Sequence, residues 1–514
     1  MRAFGVAGGR AVATLPLLAA FLGGPFEPAP YRPVSRMFWN EFYLAVEDIP
    51  EFGCCEPAQG AWHSEEAQAR MGQLREACEV DYREVMTLKR VVLGRLAEHF
   101  FAEHGEGGDG GDARWAAFRA YLAAQPEAEG YARFRAEVER QRADWREWPQ
   151  DASPPTRCVN DYWAGGCSAA SSGDWSSAER YHLYCQWQTE EQLAAIADSS
   201  GAAGLFLDLP VGAHPGGYDT WRWPGLFLDS ISTGAPPDDF FSLGQDWDFP
   251  PLHPQRARET GHAYFAACLR TQMRHADYLR VDHVMGLHRL FVIPEGEDPT
   301  AGAYLEYPAD EMYAVLALES QRARTVVAGE DLGTVPPGVR AAMHRHAVSR
   351  TWVLQASLRP RAGVPAASVP PHAVASVNTH DMFPFAGFLE GRDIRARVET
   401  GQLDAEAAAA AAASRETLAR RLDEWLDPEA GRVARSGSSE AVSSPARLLP
   451  RALAHMARGP AGLILVSLDD LLWETEPQNL PGTGAERPNW RRKIRASPAA
   501  VEESIRQAAR WLRR

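Results

Sequence analysis

The chain has 514 residues, 45% hydrophobic and 24% charged, ordinary proportions for a soluble globular protein with a large core. Its net charge of −15 argues against nucleic acid as a partner, because binding a polyanion needs a basic surface. Of 53 basic residues only Lys89 and Lys493 are lysines, so phosphate-loop, Schiff-base or kinase-type lysine chemistry has almost nowhere to sit.

Seven cysteines, odd in number and including the vicinal pair Cys54 and Cys55, make a poor disulfide framework. Reduced thiols in a cytoplasm are the expectation. Cys158 and Cys167 bracket a Gly-rich loop, but no CxxC pair or paired His completes a zinc site, and neither metal nor cofactor is expected. No apolar run reaches the length of a membrane span.

In chain order, the apolar run Ala11–Gly23 loosely imitates a secretory signal, but no small-residue cleavage site follows it. Val12–Leu17 is read instead as a buried strand. Tyr31–Asn40 is an aromatic, proline-punctuated loop. From Ser64 to Glu103 apolar residues such as Leu74, Cys78, Tyr82, Val85 and Leu88 recur every three or four positions, which predicts helix. A second helical stretch runs from Ala113 to Trp148, and a loop rich in Ser, Gly and Asp from Asp151 to Trp175.

Helix Tyr181–Ala197 then feeds strand Gly204–Asp208. Val211–His253, full of Gly, Pro and aromatics, reads as a long irregular loop of the kind that binds ligands. Beyond it, strands at Tyr278–Asp282, Thr325–Glu330, Trp352–Ser357, Ala373–Asn378 and Gly462–Asp469 alternate with helices. Those helices are Glu259–Asp277, Ala309–Ser320, Pro337–His346, Asp393–Leu426, Pro445–Ala457 and Ala499–Arg513. Such alternation predicts a parallel sheet, closed or doubly wound. Seven strands are countable; a closed barrel needs eight.

Three of these strands end on an acidic residue: Arg280-Val-Asp282-His283, Gly329-Glu330-Asp331 and Thr379-His380-Asp381. Strand C-termini converge on one mouth of a (β/α)₈ barrel. Three carboxylates gathered there point to acid/base and nucleophilic chemistry on a neutral polar substrate, with sugars leading. Each alone could be a helix cap or a surface carboxylate. Alternation along Tyr278–Asp282 puts Tyr278, Arg280 and Asp282 on one side, where Arg280 would keep Asp282 ionised or simply satisfy a buried ion pair. Trp221, Trp223, Trp247 and Tyr31 would serve equally as sugar platforms or as core. Asp331 reads as a cap that positions Glu330.

Leu207-Asp-Leu-Pro210, the segment Pro236–Trp247, the three strand-end motifs, Pro477–Thr483 and Pro488-Asn-Trp490 together resemble glycoside hydrolase family 77, the 4-α-glucanotransferases. The similarity covers residues 12 to 495. It implies a (β/α)₈ TIM-type barrel with a large helical insertion, here lacking the first barrel strand. Residues 1–30 would start the barrel, 31–180 form the mainly helical insertion, and 181–514 complete the barrel with the 211–253 substrate loop.

The resemblance further implies that Asp282 is the nucleophile, Glu330 the general acid/base and Asp381 the transition-state stabiliser. Tyr31, Asp208, Gln245, Trp247, Arg280, His283 and His380 would contact substrate, with the 244–250 loop folding over it. Donor and acceptor would be α-1,4-glucans or maltooligosaccharides. Ala29, Gly217 and Asp248 depart from the family pattern, which has serine, serine and glycine there. An α-glucan hydrolase, or a non-catalytic glucan-binding protein if the missing strand abolishes activity, are the alternative expectations.

Overall fold

The computed structural model describes residues 2–23, 26–105, 112–149, 174–198, 203–237, 243–359, 364–426, 444–484 and 486–513. The loop from Asp151 with Cys158 and Cys167, and nearly all of the polar stretch Arg435–Ser444, lie outside them.

Among the described residues one parallel sheet has seven strands in sequence order: β1 (Ala11–Ala13), β2 (Gly204–Leu209), β3 (Tyr278–Val281), β4 (Val326–Gly329), β5 (Ser349–Val353), β6 (Val374–Ser376) and β7 (Leu463–Ile464). Ala11, Phe206, Tyr278, Ala328, Val374 and Leu463, from six of the seven strands, pack in one small cluster. Side chains from both ends of the sheet meet there only because the sheet curls around them, as in the filled interior of a barrel. The opposite faces carry Leu205, Leu207, Leu209, Leu279, Val281 and Val327, which join a large core shared with the helices of residues 56–198. Outward residues of β5 and β6, including Trp352 and Ala375, pack in a second cluster with helices Ala405–Leu426 and Pro445–Arg458.

Every strand expected from the sequence is present, with shifted bounds. Trp352–Ser357 is the largest shift: the strand starts at Ser349 and stops at Val353, and Leu354–Ser357 is a helical turn. Thr351 and Val353 are strand formers; Leu354, Gln355 and Ala356 favour helix. Several predicted helices are broken in two. Asp81 accepts a hydrogen bond from the Glu84 N–H and starts a new helix at Tyr82. Asp404 does the same for Ala407 after Gly401 turns left-handed at φ +73°.

The described residues of Val211–His253 hold regular structure where a long irregular loop was expected. They contain helix Tyr218–Arg222 and strands Ile231–Ala235 and Gln245–Asp246, which pair in an antiparallel four-stranded sheet with Arg289–Pro294 and Ala303–Glu306. Trp221 and Trp223 are buried in the core, so they are packing residues and not platforms. Gly217 sits where a Cβ would lie 2.4 Å from the Val34 carbonyl oxygen, so serine does not fit there. That close approach seats the loop carrying Tyr31, which buried Asp219 fastens by accepting from Ser35 Oγ and the Arg36 N–H.

Candidate active site

Alternation along the strands builds the site directly. Phe206 and Tyr278 point into the barrel, so Asp208 and Arg280, two residues on, point the same way one layer nearer the mouth. The parallel register sets Asp208 opposite Arg280 and Arg280 opposite Ala328, so Glu330, two residues on, comes level with Asp282 nearer the mouth.

Arg280 holds two carboxylates. Its Nη1 donates to both Asp208 oxygens at 2.8 Å, and its Nη2 lies 2.7 Å from Asp282 Oδ1. Tyr31 donates its hydroxyl proton to Asp208 Oδ2 at 2.6 Å, and the same hydroxyl is 3.4 Å from His380 Nδ1. His380 Nε2 is 3.2 Å from Asp381 Oδ2, while Asn479 Nδ2 donates to Asp381 Oδ1 at 2.7 Å. One unbroken polar chain thus runs from Asp282 through Arg280, Asp208, Tyr31 and His380 to Asp381 and Asn479.

Glu330 joins from the next strand. Its Oε2 accepts the His283 N–H at 3.1 Å and its Oε1 the Leu332 N–H at 2.6 Å, while its carbonyl accepts from Val284. His283 adopts φ +45° to make this turn, a conformation uncommon outside glycine that tends to mark functional sites. The strained turn places the residue after Asp282 directly on Glu330.

The electrostatics separate the carboxyls. Burial, reinforced by the charges of Asp282 and Asp331, pushes the Glu330 carboxyl up to about 7 against the pull of Arg280 and the Leu332 N–H. Burial also raises Asp208, though Arg280 opposes it. Burial would raise Asp381 as well, but the charge and hydrogen bonds of His380 and Asn479 outweigh it and hold that carboxyl below its usual range. Its side chain is 42% exposed, at the open rim of the mouth. Burial and Arg280 lower His283, whereas Asp381 raises His380 despite burial.

Aromatic walls flank these groups. Tyr31 stacks on His380 with ring centroids 4.7 Å apart, and Trp490 lies 5.7 Å from Tyr31 and 5.8 Å from His380. Opposite, Trp247 meets His283 edge-on at 5.2 Å and donates its indole N–H to Gln245 at 2.9 Å. All ten residues expected at the site therefore converge on one mouth. Aromatic faces with polar edges suit the two-faced surface of a pyranose ring.

Asn479 and Trp490 are the site residues that sequence reasoning did not single out. Both fall inside the tail segments that carry the family resemblance, and that was the available signal. Asp331 does not cap the turn: it is buried, pairs with Arg340 and Arg350 at 2.8 Å each and accepts from the Thr351 N–H. It ties β4 to β5 beneath Glu330. No group of three or more His, Cys, Asp or Glu among the described residues is arranged to hold a metal ion.

Known proteins resemble this chain over most of its length. A family model described as 4-alpha-glucanotransferase, glycoside hydrolase family 77, matches residues 2–498. The 4-alpha-glucanotransferase of Mycobacterium tuberculosis H37Rv is 34% identical over 503 residues, 93% of this chain and 64% of that protein. The chain thus spans 64% of the length of its mycobacterial relative. The 4-alpha-glucanotransferase of Haemophilus influenzae is 30% identical over 509 residues, 94% of this chain and 70% of that one. Among solved structures, amylomaltase from Corynebacterium glutamicum superposes with a TM-score of 0.81 at 28% identity, covering 99% of this chain and 71% of that one. By family match, sequence and fold together, the chain belongs to the 4-alpha-glucanotransferases of glycoside hydrolase family 77.

Proposed function

We propose that this protein transfers a segment of an α-1,4-glucan to the 4-hydroxyl of glucose or of another α-1,4-glucan, by a retaining double displacement. Asp282 attacks the anomeric carbon while Glu330, protonated, gives its proton to the departing 4-oxygen. Glu330, now a carboxylate, then takes the proton of the acceptor hydroxyl as that oxygen displaces Asp282. Asp381 accepts hydrogen bonds from ring hydroxyls that strengthen as the sugar approaches an oxocarbenium ion. Tyr31, Asp208, Arg280, His283, His380, Gln245 and Trp247 hold the ring and its neighbours.

The observation that carries this reading is the Glu330 carboxyl, pushed up to about 7 within the same cluster as the Arg280-paired Asp282. A carboxyl held protonated by its surroundings and a second carboxylate paired with a cation, side by side at strand ends, are what glycosyl transfer requires. The substrates are neutral glucans, to which a net charge of −15 is indifferent. No helix among the described residues is long and apolar enough to cross a membrane. Free Cys54, Cys55, Cys78, Cys185 and Cys268 support a reducing, cytoplasmic location.

Maltotriose is the discriminating substrate. The purified chain should yield glucose together with maltooligosaccharides longer than three units, resolved by chromatography. Asp282→Asn should lower both by at least about a thousandfold. Glucose without longer chains would make it a hydrolase, and full activity in Asp282→Asn would remove the assigned nucleophile.

A further inference from the structure

The mouth is bridged by a contact that the chemistry above does not use. Arg32, next to Tyr31, reaches across to the covering turn: its Nη2 lies 2.5 Å from Asp248 Oδ2, while its Nη1 pairs with Glu27 Oε2 at 2.9 Å. The two halves of this fork differ. Glu27 is 19% exposed and also accepts the Ala29 N–H, so it roots Arg32 in its own loop. Asp248 is 69% exposed and belongs to the turn that follows strand Gln245–Asp246.

That turn is attached to the site. Trp247 donates its backbone N–H to Thr233 and lays its ring against His283, and the Thr233 N–H donates to Phe249. Between those two residues, Asp248 sits at φ +54°, where glycine would be unstrained and Asp is among the better-tolerated side chains. A carboxylate held in this conformation, paired with the Arg32 guanidinium next to Tyr31 in the chain, ties the Trp247 wall to the Tyr31 wall.

We propose that the Arg32–Asp248 ion pair is a strap across the substrate mouth that sets how the glycosyl-enzyme divides between a sugar acceptor and water. The inference rests on the transferase reading. In either fate the bond from Asp282 to the anomeric carbon breaks and its electron pair returns to the Asp282 carboxylate. The incoming oxygen forms the new bond and its proton passes to Glu330. The difference is only whether that oxygen belongs to a glucan 4-hydroxyl or to water.

With the walls held together, a stacked acceptor fills the mouth and water is kept from the anomeric carbon. An exposed ion pair is weak and screened by salt, so the strap opens readily, as a mouth that must admit and release long chains requires. Arg32 and Asp248 are positioning residues: they act through the Tyr31 and Trp247 walls.

The experiment measures free glucose and elongated chains from maltotriose in the full-length chain, at low salt and at about 1 M salt. Asp248→Asn, which keeps the backbone preference and removes the charge, should raise the hydrolysis-to-transfer ratio about two- to fivefold, the range an exposed ion pair supports. Arg32→Gln should do the same, and the double variant should go no further than either single one. The native ratio should rise with salt while that of the variants stays flat, a signature that general loss of stability would not produce. Asp248→Glu should move the ratio back toward native. A native ladder with an unchanged ratio in Asp248→Asn, or a native ratio insensitive to salt, overturns the strap alone. A native chain that makes no longer oligosaccharides overturns the transferase reading and the strap with it.

Discussion

The strand-end group and the rim group of this mouth use the same residue types to opposite effect. Asp208 and Arg280 sit on parallel strands, and Glu330 just past one, whose register is fixed by burial on both faces, and their charges are largely withdrawn from water. There one guanidinium serves two carboxylates, and burial, with the charges of Asp282 and Asp331 behind it, pushes the Glu330 carboxyl up to about 7. At the rim, Asp381 and Asp248 are exposed and carried on loops, Asp381 held by His380 and Asn479 and Asp248 by Arg32. The lesson is a division of labour set by dielectric: depth tunes protonation strongly and rigidly, whereas the rim binds weakly and adjusts.

Arg280→Ala attacks the deep group most severely. It leaves Asp208 and Asp282 without their cation, and breaking a buried ion cluster from one side costs about 3–5 kcal/mol. Denaturant unfolding at neutral pH should register that loss; a change below about 1 kcal/mol would show that water reaches the cluster and that depth is not the operative difference.

Glu330→Gln has the opposite sign for stability. An acid raised from 4.5 to about 7 binds its proton more tightly folded than unfolded, so the native state loses stability as pH rises through that window. Removing the charge should stabilise the protein at pH above 7 by up to about 3 kcal/mol, less about 1 kcal/mol for the backbone N–H that Gln cannot accept. Below the unfolded value the gain should vanish. Thermal unfolding at alkaline and acidic pH reads both, while transfer activity of the native protein should decline as pH rises through about 7.

Asn479→Ala probes the rim and should have the smallest effect. Asp381 loses one of the contacts that hold its carboxyl down, so the acid limb of the activity profile should move to higher pH, with a loss of about tenfold at most near neutrality. A loss approaching that of Asp282→Asn would mean that the rim is as exacting as the strand ends.

Most of the deep group was legible before any coordinates. Tyr278–Val281 alternates with period two, Val326–Gly329 is a short apolar run, and the acidic residues stand just past their ends. Local pattern therefore gave both the strand and the side of it that Arg280 and Asp282 share. Gln245 was reachable only through resemblance, and residue type left Trp247 open between a sugar platform and core. The strand Gln245–Asp246 pairs with nearby Ile231–Ala235, but that strand is in turn held by Arg289–Pro294, remote in the chain, and no local period announces such a partner. Trp221 and Trp223 were undecidable for the same reason, since residue type does not say which face of a loop meets a core.

The amino-acid order by itself determined the seven-strand alternation, the acidic strand ends and their family, because these depend on side-chain periodicity and short motifs. Tertiary structure alone decided that Arg280 joins Asp208 to Asp282, that Glu330 titrates near 7, and that Asn479, Trp490 and Arg32 reach the mouth. Those facts depend on distance and burial between residues remote in the chain, and only folding sets the dielectric and the neighbours that a charge feels.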